Sequence, residues 1–215
     1  RMTAGSRKPP AGLGSAASCP IIPPRSRFER RGVILYACNQ RIKWKQPCMF
    51  GYVTTGRERG DADRLLAGVA ARLAGLGWPL AGAVQVNSGD CRGEACDMDL
   101  RLLDSGETIR ISQTLGRLSD GCRLDPAGLE DAVGRVSASL RRATPRLLII
   151  NKFGRQEAEG RGFRPVIADA LMQGIPVLTG VGHDHADAFA AFAEGLATAV
   201  PATPEGIFDW LSVPA

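Results

Sequence analysis

Hydrophobic residues in this chain alternate between short continuous runs and stripes with helical spacing. The run at residues 50–54 predicts a strand, and a second run at 80–86 predicts another. Between them lies a stripe that predicts an amphipathic helix. The stripe consists of Leu65, Leu66, Val69, Leu73 and Leu76. The three segments together predict a βαβ unit.

Residues 97–113 have the alternation of an antiparallel hairpin. The arms 97–104 and 107–113 each alternate apolar and polar positions, and the Ser105-Gly106 pair between them predicts a turn. Because this hairpin follows the βαβ unit, we interpret it as an inserted antiparallel element.

The second half of the chain returns to the alternation of helices and strands. Asp125-Pro126 predicts a helix start before a strand at 146–151, and a further helix precedes a strand at 175–181. Two more helices follow, the last of them in PEGIFDWL. The predicted core faces of the first three helices are Leu129, Ala132, Val133, Val136 and Leu140; Phe163, Val166, Ile167, Ala170 and Leu171; and Phe189, Phe192, Ala193 and Leu196.

This order of elements predicts an α/β fold with a mainly parallel sheet covered by helices on both faces. Ligands in such sheets bind at the carboxyl ends of the strands. We therefore expect the loops 54–63, 151–162 and 181–186 to meet at one binding edge.

The segment NKFGRQEAEGRG at 151–162 is denser in charge and glycine than a connecting loop requires. Gly160 and Gly162 are expected to leave amides facing an anion at the start of the next helix. Glu157 is the best catalytic candidate, since a carboxylate can orient water or hold a cation; alternatively, Glu157 and Glu159 pair with neighbouring arginines. The candidate ligand-binding residues are Asn151, Lys152, Gly154, Arg155, Glu157, Gly160 and Gly162.

The loop TTGRERGDAD lies where a phosphate-binding loop would lie, between the first strand and its helix. The G-x-x-x-x-G-K-[ST] pattern needs a lysine and a hydroxyl, but alignment from Gly56 places Ala62 and Asp63 in those positions. The glycines, arginines and helix start can still hold an anion. The alternative is a plain βα turn in which Asp61 or Asp63 caps the helix. The candidate ligand-binding residues are Gly56, Arg57, Arg59 and Gly60.

Charge is distributed unevenly along the chain. Residues 1–48 hold ten of the 27 basic residues and one of the 22 acidic residues, with little apolar periodicity. We interpret this segment as a disordered basic extension, or as the product of a mis-assigned translation start, with Met49 as the native start. Residues 49–215 are predicted to form a single α/β domain, for which nucleic acid is not an expected partner. The sequence has neither a membrane span nor a secretory signal pattern, so we predict a cytoplasmic location.

Cysteine and histidine form a second set of candidates, for a metal site. The C-x4-C spacing is wider than in most zinc sites, and two imidazoles at His-x-His share one side only in an extended loop. Buried thiols and exposed loop histidines are the alternative. Thiolate ligands would suit zinc, copper(I) or molybdenum better than magnesium. The candidates are Cys91, Cys96, Cys122, His183 and His185.

Four segments resemble a bacterial family catalogued as domain of unknown function 2478, and the resemblance covers roughly residues 49–211. They are CDMDLRLLDSGE, GCRLDP, LLIINKFGRQEAEGRGF and GIPVLTGV. That family in turn resembles P-loop nucleoside-triphosphatases. The resemblance implies that Asn151 and Lys152 stand where the acidic pair of the magnesium site is expected, while Gly154, Arg155 and Glu157 match the pattern. It also implies a loose association with molybdate-related genes.

These observations predict a domain that binds a nucleotide or small oxyanion at the carboxyl edge of its sheet without efficient hydrolysis. The candidate cofactor is a nucleotide together with magnesium; the alternatives are zinc and molybdate. A protein that binds the same face is an alternative partner. The alternatives in function are an active nucleoside-triphosphatase or phosphotransferase, and a molybdate- or metal-linked accessory protein.

The composition of residues 1–48 leads to a first testable prediction. A chain that begins at Met49 should melt at the same temperature as the whole chain, because a polar segment without apolar periodicity buries little surface. Thermal unfolding of both chains, followed by circular dichroism, checks this. A large drop on truncation would show that the segment packs onto the domain.

Overall fold

The computed structural model describes residues 49–54, 60–88, 97–113 and 123–212, and these residues form a seven-stranded sheet with helices on both faces. The strands are β1 (Phe50–Thr54), β2 (Leu80–Ser88), β3 (Asp97–Leu102), β4 (Thr108–Arg110), β5 (Leu147–Phe153), β6 (Val177–Val181) and β7 (Ala197–Ala199). The helices are α1 (Asp61–Gly75), α2 (Pro126–Arg142), α3 (Arg155–Ala158), α4 (Arg164–Met172), α5 (Ala186–Ala193) and α6 (Pro204–Leu211), with a 3-10 turn at His183–His185.

The strand order is β4-β3-β2-β5-β6-β1-β7. Strands β2, β5, β6, β1 and β7 pair in parallel, whereas β3 and β4 add an antiparallel edge next to β2. The predicted α/β fold with a mainly parallel sheet is confirmed. The hairpin is also confirmed, and it extends the main sheet. Strand β7 was not predicted, since ATA is too short for a periodic signal.

Each face of the sheet has its own hydrophobic core. Helices α1 and α6 cover one face, where Leu66, Val69 and Leu73 of α1 are buried against Val84 and Ile149 of the sheet. Helices α2, α4 and α5 cover the other face. Their buried residues are Leu129, Ala132, Val136, Leu140, Val166, Ile167, Ala170, Phe189 and Ala193. Burial on both faces explains why β5 and β6 read as continuous apolar runs in the sequence.

Two predicted core residues are exposed. Leu76 has 57% of its surface exposed and Leu196 has 68%, because each follows the last turn of its helix. Helix α1 ends at Gly75, and α5 ends at Ala193 before two residues with positive φ, Glu194 and Gly195. The backbone turns away at these points, so the helical stripe no longer predicts which way the side chain points.

The carboxyl edge of the parallel strands is the part of the fold that positions the site. Strands β1, β2, β5 and β6 all end at this edge. Strand β5 continues two residues beyond its predicted end at Asn151, so Lys152 and Phe153 also belong to the strand. The interpretation of residues 1–48 lies outside the described residues. None of the described helices is long and apolar enough to span a membrane.

Candidate ligand-binding site

A buried hydrogen-bond chain joins three elements at the carboxyl edge. The Asn151 Nδ2 atom donates to Asp63 Oδ1 over 2.7 Å, and the Asn151 Oδ1 atom accepts from the backbone amide of Gln85 over 2.9 Å. Asp63 is 6% exposed and Asn151 is 5% exposed. The chain therefore fastens the first turn of α1 to the ends of β5 and β2.

Gly180 in β6 allows α1 to approach the sheet closely at this point. A Cβ atom on Gly180 would lie 2.8 Å from the Asn151 carbonyl oxygen and 3.4 Å from the Ala62 Cβ. A side chain at this position would clash first with the backbone of β5, so glycine here keeps β6 close to β5 beneath the first turn of α1. The helix itself begins after Gly60 without a side-chain cap, so the expected capping by Asp61 or Asp63 is wrong, whereas residues 55–59 of the turn lie outside the described residues.

The P-loop resemblance implies a magnesium ion at this edge, and the residues here do not fit one. Mg²⁺ requires oxygen ligands in a near-octahedral arrangement. Asn151 directs its amide hydrogens at Asp63, while its oxygen is turned to the Gln85 amide. Ala62, at the lysine position, has no group for a phosphate. The direct hydrogen bond between Asn151 and Asp63 thus occupies the space where the resemblance implies the magnesium ion.

Glu157 organises the loop between β5 and α4. Its Oε2 atom accepts from the Gly154 amide over 2.9 Å, and its Oε1 atom accepts from the Phe163 amide over 3.0 Å. The residue is 5% exposed. Gly162 has a φ of 57°, and a Cβ there would lie 2.3 Å from Glu157 Oε1, so only glycine fits beside this carboxylate.

The structure places two of the predicted anion-binding amides of this loop in internal hydrogen bonds. The Gly160 amide donates to the Glu157 carbonyl, and the amide at the start of α4 donates to the Glu157 carboxylate. The expectation that these amides face a ligand is therefore wrong for Gly160 and for Phe163. The Glu157 carboxylate pairs with backbone amides and not with an arginine of the described residues; Arg164 contacts the carbonyl oxygen of Glu157 instead.

Glu159 does follow the arginine alternative. Its carboxylate accepts from Arg155 at 2.8 Å and from Arg161. The hydrogen bond from Arg155 is the largest influence that lowers the pKa of Glu159, and the charges of Arg155 and Arg161 add to it. The Arg155 side chain is 72% exposed, so it lies at the surface of the edge and can reach outward.

A cavity of about 350 Å³ opens beside β5 at this edge. Its walls are mainly apolar, and its polar lining includes both Asn151 and Glu157. The lining residues are Gln85, Met98, Leu100, Ile111, Arg123, Leu124, Leu129, Ile150, Asn151, Lys152, Gly154, Arg155, Gln156, Glu157 and Phe163. Five predicted site residues, Asn151, Lys152, Gly154, Arg155 and Glu157, thus line one cavity. The sequence analysis did not predict that the hairpin and α2 line this cavity, because their pattern of apolar and polar residues indicated only core packing.

The other predicted site residues that the structure describes do not line this cavity; they are Gly60, Gly160, Gly162, His183 and His185. Gly60 precedes α1, while Gly56, Arg57 and Arg59 lie outside the described residues, as do Cys91, Cys96 and Cys122. Because the loops 54–63 and 151–162 are expected to meet at one edge, Arg57 should lie near Arg155, and this stays a prediction. His183 and His185 lie in a 3-10 turn, where residues two apart point in different directions, so the extended loop needed for paired imidazoles is absent there. Within the described ranges, no group of three or more potential ligands forms a metal site.

Comparison with solved structures agrees with the fold class. THEP1 from the hyperthermophile Aquifex aeolicus aligns with a TM-score of 0.50 at 14% identity, over 76% of this chain and 94% of that chain. This likeness supports the P-loop nucleoside-triphosphatase-like architecture expected from the sequence.

Comparison with curated sequences finds a relative in a longer protein. The chain is 38% identical over 156 residues to the molybdenum import ATP-binding protein ModC 2 of Bradyrhizobium diazoefficiens. The match covers 72% of this chain and 17% of that protein, so the chain corresponds to a small part of its relative. A family model also matches most of the α/β domain, over residues 52–210. The chain therefore belongs to the family described as "Protein of unknown function (DUF2478)".

Proposed function

We propose that this domain binds a nucleotide or a small oxyanion at the carboxyl edge of its sheet. The observation that carries the proposal is the cavity at the ends of β2 and β5, which is lined by the basic residues Arg123, Lys152 and Arg155. Three cations around one opening favour an anionic ligand. The start of α1 lies at the same edge, but its first turn carries Asp61 and Asp63 and it does not line the cavity, so the proposal rests on the three basic side chains.

The comparisons support two versions of this proposal. One relative is named an ATP-binding protein, and the P-loop-like fold is consistent with a nucleotide. The same relative is named for molybdenum import, which favours the second candidate, a molybdate-linked accessory function. Both ligands are anionic and compatible with the same basic edge.

Binding without efficient hydrolysis is the form of the proposal that the side chains favour. Phosphoryl transfer depends on cations that stabilise charge in the transition state. Here Ala62 stands at the lysine position, and the Asp63–Asn151 hydrogen bond spans the positions implied for magnesium. Both carboxylate oxygens of Glu157 accept hydrogen bonds from backbone amides, so this side chain stabilises the loop instead of activating water.

A thermal-shift screen of the whole chain tests the proposal. ATP, GTP, molybdate, tungstate and sulfate are each added with and without Mg²⁺, because a ligand at 100 times its Kd stabilises a protein by about 2.7 kcal/mol. We expect at least one of these anions to raise the melting temperature, and no appreciable release of phosphate from ATP. Absence of any shift would contradict binding, and rapid Mg²⁺-dependent turnover would contradict the noncatalytic form.

Arg155 provides the matching variant. Arg155→Ala should weaken binding of the active anion by about 1–3 kcal/mol, since it removes a charge-assisted hydrogen bond, while the unliganded melting temperature stays nearly constant. Arg135→Ala is the control, because Arg135 is also exposed and paired with an acid four residues away, but it lies in α2 outside the cavity lining. Equal losses of affinity in both variants would argue against a specific contact.

A further inference from the structure

We propose that the cavity binds a small organic anion, with its apolar body inside the chamber and its anionic group at Lys152. The inference deepens the proposed function and rests on it for the location of the ligand at this edge. It adds the chemical class of the ligand, which the basic residues alone do not specify.

The apolar interior of the chamber favours a ligand with an organic body over a bare oxyanion. Buried side chains from the hairpin, α2, β5 and the start of α4 form its walls: Leu100, Ile111, Leu129, Ile150 and Phe163. Its volume of about 350 Å³ is within the range of small-molecule sites, roughly 300–1,000 Å³. A molybdate or sulfate ion would fill a small part of this space and leave apolar walls against water. An organic body would cover them, at about 25 cal/mol per Å².

Charge along the lining fixes the orientation of the ligand. The buried Glu157 carboxylate lies on the loop side of the chamber and repels a second anion placed next to it. Arg155 and Arg123 already form ion pairs with Glu159 and Asp97. Lys152 is exposed at the end of β5 and, among the residues that the structure describes, has no ion pair. An anionic group therefore gains most at Lys152, and the apolar body points inward.

The hairpin wall is held in place before a ligand arrives. Arg110 on β4 donates to Asp99 and Asp97 on β3, each over 2.6 Å. The Met98 amide donates to the Ser112 hydroxyl over 3.0 Å. These bonds fix the register of the strands that carry Met98 and Leu100 to the cavity. A wall ordered in advance reduces the entropy lost on binding.

The test uses two fluorescent probes that share an arylamine body. 1-Anilinonaphthalene-8-sulfonate carries a sulfonate, whereas N-phenyl-1-naphthylamine is neutral. We expect the sulfonate probe to bind the folded whole chain at one saturable site, and the neutral probe to bind about tenfold more weakly, the effect of one charge-assisted contact. Equal affinity for the two probes, or no saturable site, would overturn the inference.

Two variants locate that site. Lys152→Met should weaken the sulfonate probe about five- to tenfold and leave the neutral probe unchanged. Arg141→Met, in the last turn of α2, is the control for a general loss of positive charge. Met98→Trp should fill the chamber and reduce binding of both probes at least tenfold, with circular dichroism confirming that the variant is folded. Unchanged binding in Lys152→Met, or an equal loss in Arg141→Met, would contradict the proposal.

The thermal-shift screen separates this inference from the proposed function. If nucleotide or oxyanion raises the melting temperature but the sulfonate probe finds no Lys152-dependent site, the ligand class is wrong and binding at the edge stands. If the probe binds as expected while every nucleotide and inorganic anion fails, the proposed function is wrong and the cavity still selects organic anions.

Discussion

Glu157→Ala should destabilise the domain by about 3–5 kcal/mol. The substitution leaves the amides of Gly154 and Phe163 without their acceptor, and a buried unsatisfied amide costs about 1–3 kcal/mol. The loss of packed side-chain atoms in a site only 5% exposed adds to this cost. Urea denaturation followed by circular dichroism measures the free energy of unfolding.

Three further variants show whether the two hydrogen bonds are the cause. Glu159→Ala is the matched control, because it removes a neighbouring carboxylate that pairs with exposed arginines, and its melting temperature should hardly change. Glu157→Gln keeps the shape but turns an NH₂ group toward one of the amides, so it should lie between wild type and Glu157→Ala. Gly162→Ala should also destabilise, since its Cβ would meet Glu157 Oε1. A fully stable Glu157→Ala would show that the loop does not depend on this carboxylate.

The loop containing Glu157 shows how far the sequence could lead. Its mixture of glycine and charge predicted a site at residues 151–162, and five of the residues named there line the cavity. The sequence could not show that the Glu157 carboxylate accepts hydrogen bonds from the Gly154 and Phe163 amides, at the two ends of the loop. That arrangement depends on the backbone reversal through Gly160 and Gly162, both with positive φ, and on the short helix α3.

The cavity was beyond sequence reasoning for a different reason. Apolar alternation predicted the hairpin and the buried face of α2, but it could not show that these faces fail to close over β5. Pairing of β3 with β2 brings Leu100 into the same chamber as Ile150, although the two residues are distant in the chain. The shape of a cavity depends on such long-range pairings, whereas hydrophobic periodicity reports only local structure.

For Asp63 and Asn151, the sequence predicted that both positions matter but not that the two side chains bond to each other. Comparison with the P-loop pattern marked both positions, each as a departure from it. The structure shows that the departures are complementary, since 88 residues separate a carboxylate and an amide that bond directly. The pair is therefore a structural unit that joins α1 to β5 at this edge. Exchanging the amide and the carboxylate between the two positions should preserve stability, whereas changing one position alone should not.

Asn151→Asp should consequently destabilise the domain by about 3–4 kcal/mol at neutral pH. It replaces a buried hydrogen bond by two facing carboxylates, at about the 2.7 Å separation of the present pair. One carboxylate would have to take up a proton for the fold to persist, so the folded state of the variant binds more protons than its unfolded state. Stability should then increase as the pH falls from about 7 towards 4, which pH-dependent urea denaturation measures.

Two further measurements complete this test: the effect of divalent cations on stability, and the stability of the double variant in which the two side chains are exchanged. Millimolar Mg²⁺ or Ca²⁺ should raise the melting temperature of Asn151→Asp, because two carboxylates now face each other, and should raise that of the unliganded wild type much less. Combining Asn151→Asp with Asp63→Asn restores one amide and one carboxylate, and the carboxylate introduced on β5 can still accept from the Gln85 amide. The double variant should therefore recover most of the lost stability and lose its response to cations. If the two substitutions instead add their separate costs, Asp63 and Asn151 do not act as a pair, and the closed edge inferred here is wrong.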